Sequence, residues 1–144
     1  HEARGGQAGL AVVIGLDTHV VIRYVVQDDA RQSAAATRLI EKTLSATQPG
    51  FISLVTLAEI GWVLEECYGA DRARVAAVVE GLLSSRQILV EQAEVAWRAL
   101  RAWKDSSADL SDALIGQVAL AAGCSKVATF DKKAAKLGGF ELLG

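Results

Sequence analysis

What this chain lacks narrows the field first. Positive charge is not in excess: 15 Lys and Arg face 17 Asp and Glu, a formal net charge of -2. A protein held to nucleic acid by overall charge is excluded, although a local basic rim beside an acidic centre is not. No apolar run approaches the roughly 20 residues that cross a bilayer. The two cysteines, Cys67 and Cys124, lie far apart without Cys-x-x-Cys spacing. That excludes the usual zinc and redox-pair patterns and leads us to expect two buried free thiols in a reducing compartment. Internal repeats, low-complexity tracts and linkers are missing too.

What is present is an ordinary globular balance, 51% hydrophobic and 22% charged, with no mark of disorder. The 144 residues suffice for one cored domain and fall short of two. His1 to Gly9 are polar and glycine-rich without an initiator methionine, and read as a disordered cloning remnant rather than a signal peptide. The expectation is one domain over residues 10–144, soluble and cytoplasmic, with no membrane partner.

The chain is organised around residues 12–19, Val-Val-Ile-Gly-Leu-Asp-Thr-His. A short apolar run without polar alternation suits a central parallel strand covered on both faces. It ends on Asp17, at the carboxyl edge where open α/β sheets bind ligands. Beyond it the pattern predicts a helix through Val26, a second over Ser33 to Ala46, and a break at Pro49-Gly50. A strand at Phe51-Ile52-Ser53 precedes an apolar helix over Val55 to Tyr68, ended by Gly69. Asp71 caps the next helix, to Ser84. Ile88-Leu89-Val90 is a strand, and Ala93, Ala96, Trp97, Leu100 and Trp103 form the apolar face of a helix. Asp109 opens another, running to Gly123. Lys126 to Phe130 is a strand, Asp131 starts a short Lys/Ala helix, and Phe140-Glu141-Leu142 closes the chain. Strands alternating with helices predict an α/β fold: three layers, α/β/α, around a mainly parallel sheet of four to five short strands.

The acidic residues at these junctions each have a plain explanation. Asp17, Asp109 and Asp131 precede helices, where a side-chain oxygen caps free N–H groups, and Asp112 lies in a first turn that favours negative charge. Glu59 is different, since it sits inside one of the most apolar stretches of the chain with no Lys or Arg a helical turn away. It faces either solvent or a site holding cations. If the fold gathers Asp17, Glu59, Asp112 and Asp131 at one edge, their charges raise each other's pKa values. A hard, oxygen-seeking cation such as Mg²⁺ or Mn²⁺ relieves that conflict and supports phosphodiester hydrolysis.

Four segments carry a resemblance: Gly-Leu-Asp-Thr-His-Val-Val-Ile-Arg-Tyr, Leu-Ala-Glu-Ile-Gly-Trp-Val-Leu, Leu-Ser-Asp-Ala-Leu-Ile-Gly and Ala-Thr-Phe-Asp-Lys-Lys-Ala. In order and over about residues 12–143, the chain resembles PIN domains, in the style of the VapC-type toxins of bacterial toxin–antitoxin pairs. The resemblance implies that Asp17, Glu59, Asp112 and Asp131 form an acidic site for Mg²⁺ or Mn²⁺. Asp17 and Asp112 would be the direct ligands, while Glu59 and Asp131 hold a second metal or orient water. It further implies cleavage of single-stranded RNA, a cognate small antitoxin protein and a homodimer. The chain departs from the family at His19, where Asn is common; the imidazole either contacts metal or substrate or simply begins a helix. Thr18 and Thr129 offer hydroxyls to the site or satisfy turns. Arg23, Lys126, Lys132, Lys133 and Lys136 reach RNA phosphates or form a solvated surface. Val20, Ile22, Val25, Trp62 and Leu64 exceed what one buried helix face needs, and serve a core, a dimer interface or an antitoxin groove.

Other readings fit less well. A haloacid-dehalogenase-like phosphatase needs a second Asp where His19 stands, and a receiver domain needs an Asp directly after the third strand. A PIN-like binding module without catalysis remains as the non-enzymatic alternative.

Overall fold

A computed structural model describes residues 14–144. Residues 1–9 and the expected first strand residues Val12 and Val13 lie outside the described residues. The elements run β1 (Ile14–Gly15), α1 (Thr18–Val26), α2 (Ala30–Thr37), β2 (Gly50–Ile52), α3 (Leu54–Tyr68), α4 (Arg72–Ser84), β3 (Ile88–Val90), α5 (Ala93–Lys104), α6 (Leu110–Ala121), β4 (Val127–Thr129) and β5 (Phe140–Leu142). Each strand pairing is parallel. The α/β class is as expected, but the sheet is small and divided. One sheet has the order β1-β2-β3, and β4-β5 form another. Among the described residues β1 therefore stands at an edge, pairing with β2 alone, and Ile14 is exposed. Strands of three residues, as β2 to β5 are, make few ladder bonds, so helix packing carries much of the architecture.

The core forms where helical spacing repeats apolar residues on one side. Leu57, Ile60 and Leu64 of α3, Val75 and Val79 of α4, and Leu100 and Trp103 of α5 are all nearly inaccessible to water. Truncating one of the aliphatic residues among them to alanine costs about 2–5 kcal/mol. The helix ends also follow local chemistry. Ser53 Oγ accepts from Thr56 N at 3.1 Å, Asp71 Oδ1 accepts from Arg74 N at 2.8 Å, and Gly69 ends α3 at φ 65°. The second helix departs from expectation. It starts earlier, on Asp29, and passes after Thr37 into a π-helical stretch, Arg38–Thr43, closed by Leu44 N donating to Leu39 O at 2.9 Å. Leu44 is thereby set against β2, where a Cβ at Gly50 would lie 2.7 Å from its Cδ1. The helix expected after Asp131 is a single 3₁₀ turn, Ala134–Lys136.

Two glycines fix α6. A Cβ on Gly61 of α3 would approach Leu110 Cδ2 at 3.0 Å, and one on Gly116 would meet Phe140 Cε1 at 2.6 Å. The first turn of α6 thus lies tight on α3, and its middle on β5.

Cys67 and Cys124 are free and exposed, not buried. Cys67 falls on the outer side of the last turn of α3, and Cys124 follows the turn at Gly123. An average preference for burial yields there to position on the helix. Among the described residues, no helix is long and apolar enough to cross a membrane.

Candidate active site

The site is built from helix starts. Leu16 N donates to Phe51 O at 2.8 Å, extending the β1–β2 ladder to the residue before Asp17. Asp17 then turns the chain into α1 with extended backbone, φ -77° and ψ 159°. Among the described residues its Oδ1 accepts from the adjacent Thr18 N alone, at 2.8 Å. Thr18 is buried, and its hydroxyl donates to Glu59 Oε1 at 2.5 Å. Glu59 thus faces both solvent and a site: its residue is exposed, yet its carboxylate is tied to the strand end. Asp17, Thr18, His19, Glu59, Trp62 and Val63 line one cavity of about 570 Å³.

The second group gathers at α6. Asp109 occupies the N-cap position, but its side chain caps nothing. Asp112 follows in the first turn, and its carboxyl is held above the usual range. Burial is the main cause, the charges of Asp109 and Asp131 add to it, and the Asp109 backbone N–H pulls the other way. Asp131 is oriented by a tight turn: its N–H donates to Thr129 Oγ1 at 3.0 Å, and its Oδ1 accepts from Lys133 N at 2.8 Å. The Thr129 hydroxyl is therefore spent on that turn. Glu65 of α3 is also raised, by burial and then by Asp109, with Arg72 opposing.

The helix that carries Glu59, α3, packs against α6, which carries Asp112. Glu59 and Ser111 line a common, mostly apolar groove with Val55, Ile115 and Val118. Trp62 lines the Asp17–Glu59 cavity and a smaller one shared by Glu65, Asp109 and Ser111. Among the described residues, no three His, Cys, Asp or Glu side chains close on one point as a finished cage. The donors still fit a hard divalent ion. They are all carboxylates, they include crowded like charges, and Mg²⁺ needs only one or two of them because it keeps several waters.

The basic residues divide. Arg23 is committed elsewhere: its Nε donates to Gln32 at 2.7 Å and its Nη1 to Tyr68 Oη at 3.0 Å, with Asp28 at 3.5 Å. Lys126 pairs with Glu141 at 3.1 Å. Lys132, Lys133 and Lys136 are exposed beyond Asp131, and His19 is exposed on the cavity wall. Ile22 and Leu64, two of the excess apolar residues, belong to the core, while Trp62 stays 61% exposed.

Sequence reasoning missed three participants. Asp109 reads as a cap, and only its three-residue spacing from Asp112 hints at a shared face. Glu91 accepts from Leu54 N at 2.9 Å and so caps α3 from the end of β3. Arg72 reads as a surface residue of a first helical turn, yet it bonds three backbone carbonyls.

Short parallel strands thus end on, and helices start from, acidic side chains, a donor type that suits a hard divalent cation. The family model described as PIN domain matches residues 14–139, and the chain belongs to the PIN domain family. PIN domains are generally Mg²⁺-dependent nucleases, and the family typically uses Mg²⁺ or Mn²⁺. No curated protein shows significant similarity to the chain.

Proposed function

We propose that the protein is a Mg²⁺- or Mn²⁺-dependent endoribonuclease that cleaves single-stranded RNA, acting as the toxin of a toxin–antitoxin pair. One contrast carries this reading. Asp29, Ser53 and Asp71 spend their side chains on the third N–H of their helices. The helices of the site do not use theirs this way: Asp109 makes no cap bond, and Asp17 bonds the first N–H, that of Thr18, and not the third. Carboxylates left uncapped at the starts of α1 and α6, with Asp112 in the first turn of α6 raised by burial and then by the charges of Asp109 and Asp131, suit a cation better than a cap.

Asp17 and Asp112 are the direct ligands in this reading, with Glu59 and Asp131 holding water or a second ion. When bound, the ion supplies positive charge to a phosphate oxygen and lowers the pKa of a bound water. The chain's own residues prepare the geometry. Thr18 fixes the Glu59 carboxylate, and the Thr129–Asp131–Lys133 turn fixes Asp131 before substrate arrives. Lys132 and Lys133 meet RNA phosphates beside it, whereas Arg23 braces α1 against α3. The exposed apolar residues Val55, Trp62, Ile115 and Val118 offer a surface for an antitoxin or a second copy of the chain.

The test is cleavage of an end-labelled RNA hairpin with a single-stranded tail, in Mn²⁺ and in EDTA. Cuts confined to unpaired positions and lost in EDTA support the proposal. Metal-independent RNA binding without cutting would favour a non-catalytic module. For the toxin role, a small protein encoded beside the gene should co-purify and block the cuts.

A further inference from the structure

We propose that Arg72 is the positioning residue of the acidic site: it latches the α5–α6 connector, and through it the helix start that presents Asp109 and Asp112. This inference rests on the metal-site reading above for its functional consequence, but its structural part stands on the connector itself. Arg72 opens α4, directly after the cap Asp71. Its Nη1 donates to Ala108 O at 3.0 Å, and its Nη2 to Trp103 O at 2.6 Å and Ser106 O at 2.8 Å. The guanidinium lies 4.2 Å from the centroid of the Trp103 ring, which is fully buried. All three acceptors belong to the end of α5 and the turn that follows. Ala108, the last of them, is itself buried and precedes Asp109.

Among the described residues the connector has no other long-range hydrogen bond. Its remaining bonds are local: Ser106 N and Oγ both donate to Trp103 O at 3.0 Å, and Ala108 N donates to Ser106 Oγ at 3.2 Å. Past the latch, Leu110 packs on Gly61 of α3. Arg72 at one end and the Gly61 contact at the other therefore fix how the first turn of α6 meets the helix carrying Glu59. A rigid fork that bonds several carbonyls while stacking on an indole is a task for arginine; an ammonium has neither the reach nor the flat face. Groups that orient metal ligands from behind typically carry about 10–100-fold in metal affinity.

The experiment uses the whole chain, with Arg72→Lys and Arg72→Ala as variants. Mn²⁺ binding is read from the free-ion spin-resonance signal, and amide exchange is followed without metal. The expected result is a Mn²⁺ Kd weakened about tenfold or more in Arg72→Lys, faster exchange confined to residues 106–112, and partial recovery of Mn²⁺ affinity in Arg72→Ala by millimolar guanidinium. Unchanged Mn²⁺ affinity in a folded Arg72→Lys would overturn the proposal. So would exchange that rises evenly through all helices, the mark of a purely global staple. If Arg72→Ala fails to fold, Arg72→Lys and the parent decide the matter, because the latch demands that the parent amides of Ser106 and Ala108 exchange as slowly as the α4 core. A parent chain that binds no Mn²⁺ overturns the metal reading instead, and the latch is then judged by exchange alone.

Discussion

The Thr18 hydroxyl donates to Glu59 Oε1 at 2.5 Å, joining the start of α1 to α3, 41 residues away. Thr18 is 3% exposed, so the bond ties the carboxylate of an exposed residue to a buried hydroxyl. It makes Glu59 part of the β1 edge rather than a stray charge on an apolar helix.

The bond predicts a sharp difference between two substitutions. From charge alone, Glu59→Ala should relieve repulsion and stabilise the metal-free protein. It also strands a buried hydroxyl, which costs about 1–3 kcal/mol. Glu59→Ala should therefore lower the denaturant midpoint in EDTA. Glu59→Gln keeps an oxygen for Thr18 and should stay close to the parent in stability. Both should lose most RNA cleavage. Equal midpoints for the Ala and Gln variants would place the Thr18 bond outside the folded ensemble.

Thr18→Val tests the other partner at constant shape. Glu59 is exposed and recovers water, so the stability loss should be near 1 kcal/mol. Cleavage should fall further than stability, because the freed carboxylate samples other rotamers. Wild-type kcat with a lowered midpoint would reduce Thr18 to a structural role.

Asp112 gives the pH dependence. Its folded pKa is raised, so the folded state holds that proton more tightly than the unfolded chain. Its contribution favours folding below the ordinary carboxylate range, near pH 4, and is lost as pH rises through the raised value. Metal-free Asp112→Asn should therefore match the parent in acid and exceed it at pH 7. The gain should be small, since the carboxyl still meets water. Thermal melts in EDTA from pH 3.5 to 7.5 check the crossing, and a gap that is constant with pH would contradict it.

Divalent metal should stabilise the parent. An ion that binds only the folded chain adds roughly 2.7 kcal/mol at a hundredfold excess over Kd, a rise of several degrees in Tm. Asp112→Asn should show little of it. Equal shifts in parent and variant would move the ion elsewhere.

Much of this architecture is legible from residue order. Helical spacing, Gly69 and the cap Asp71 locate α3 and α4 because those signals are local. The four carboxylates are visible for the same reason, each standing in a recognisable segment. The rest depends on contacts distant in sequence. The sheet order β1-β2-β3, the pairing of β4 with β5, and the π-helical turn before Leu44 arise from packing that no local pattern encodes. Asp109 hides because a free carboxylate and a capping one look alike until the N–H partners are known. Arg72 hides because its partners are backbone carbonyls, which carry no residue signature.

The central claim is that Asp112 and its neighbours hold a divalent ion for cutting RNA. The most direct measurement compares cleavage of one single-stranded RNA by the parent and by Asp112→Asn, each after exhaustive EDTA treatment and again after Mn²⁺ is restored. The account predicts cutting only by the parent with Mn²⁺, with Asp112→Asn folded and at least about a hundredfold slower. Cleavage by the parent that survives EDTA, or by Asp112→Asn at the parental rate, would contradict it.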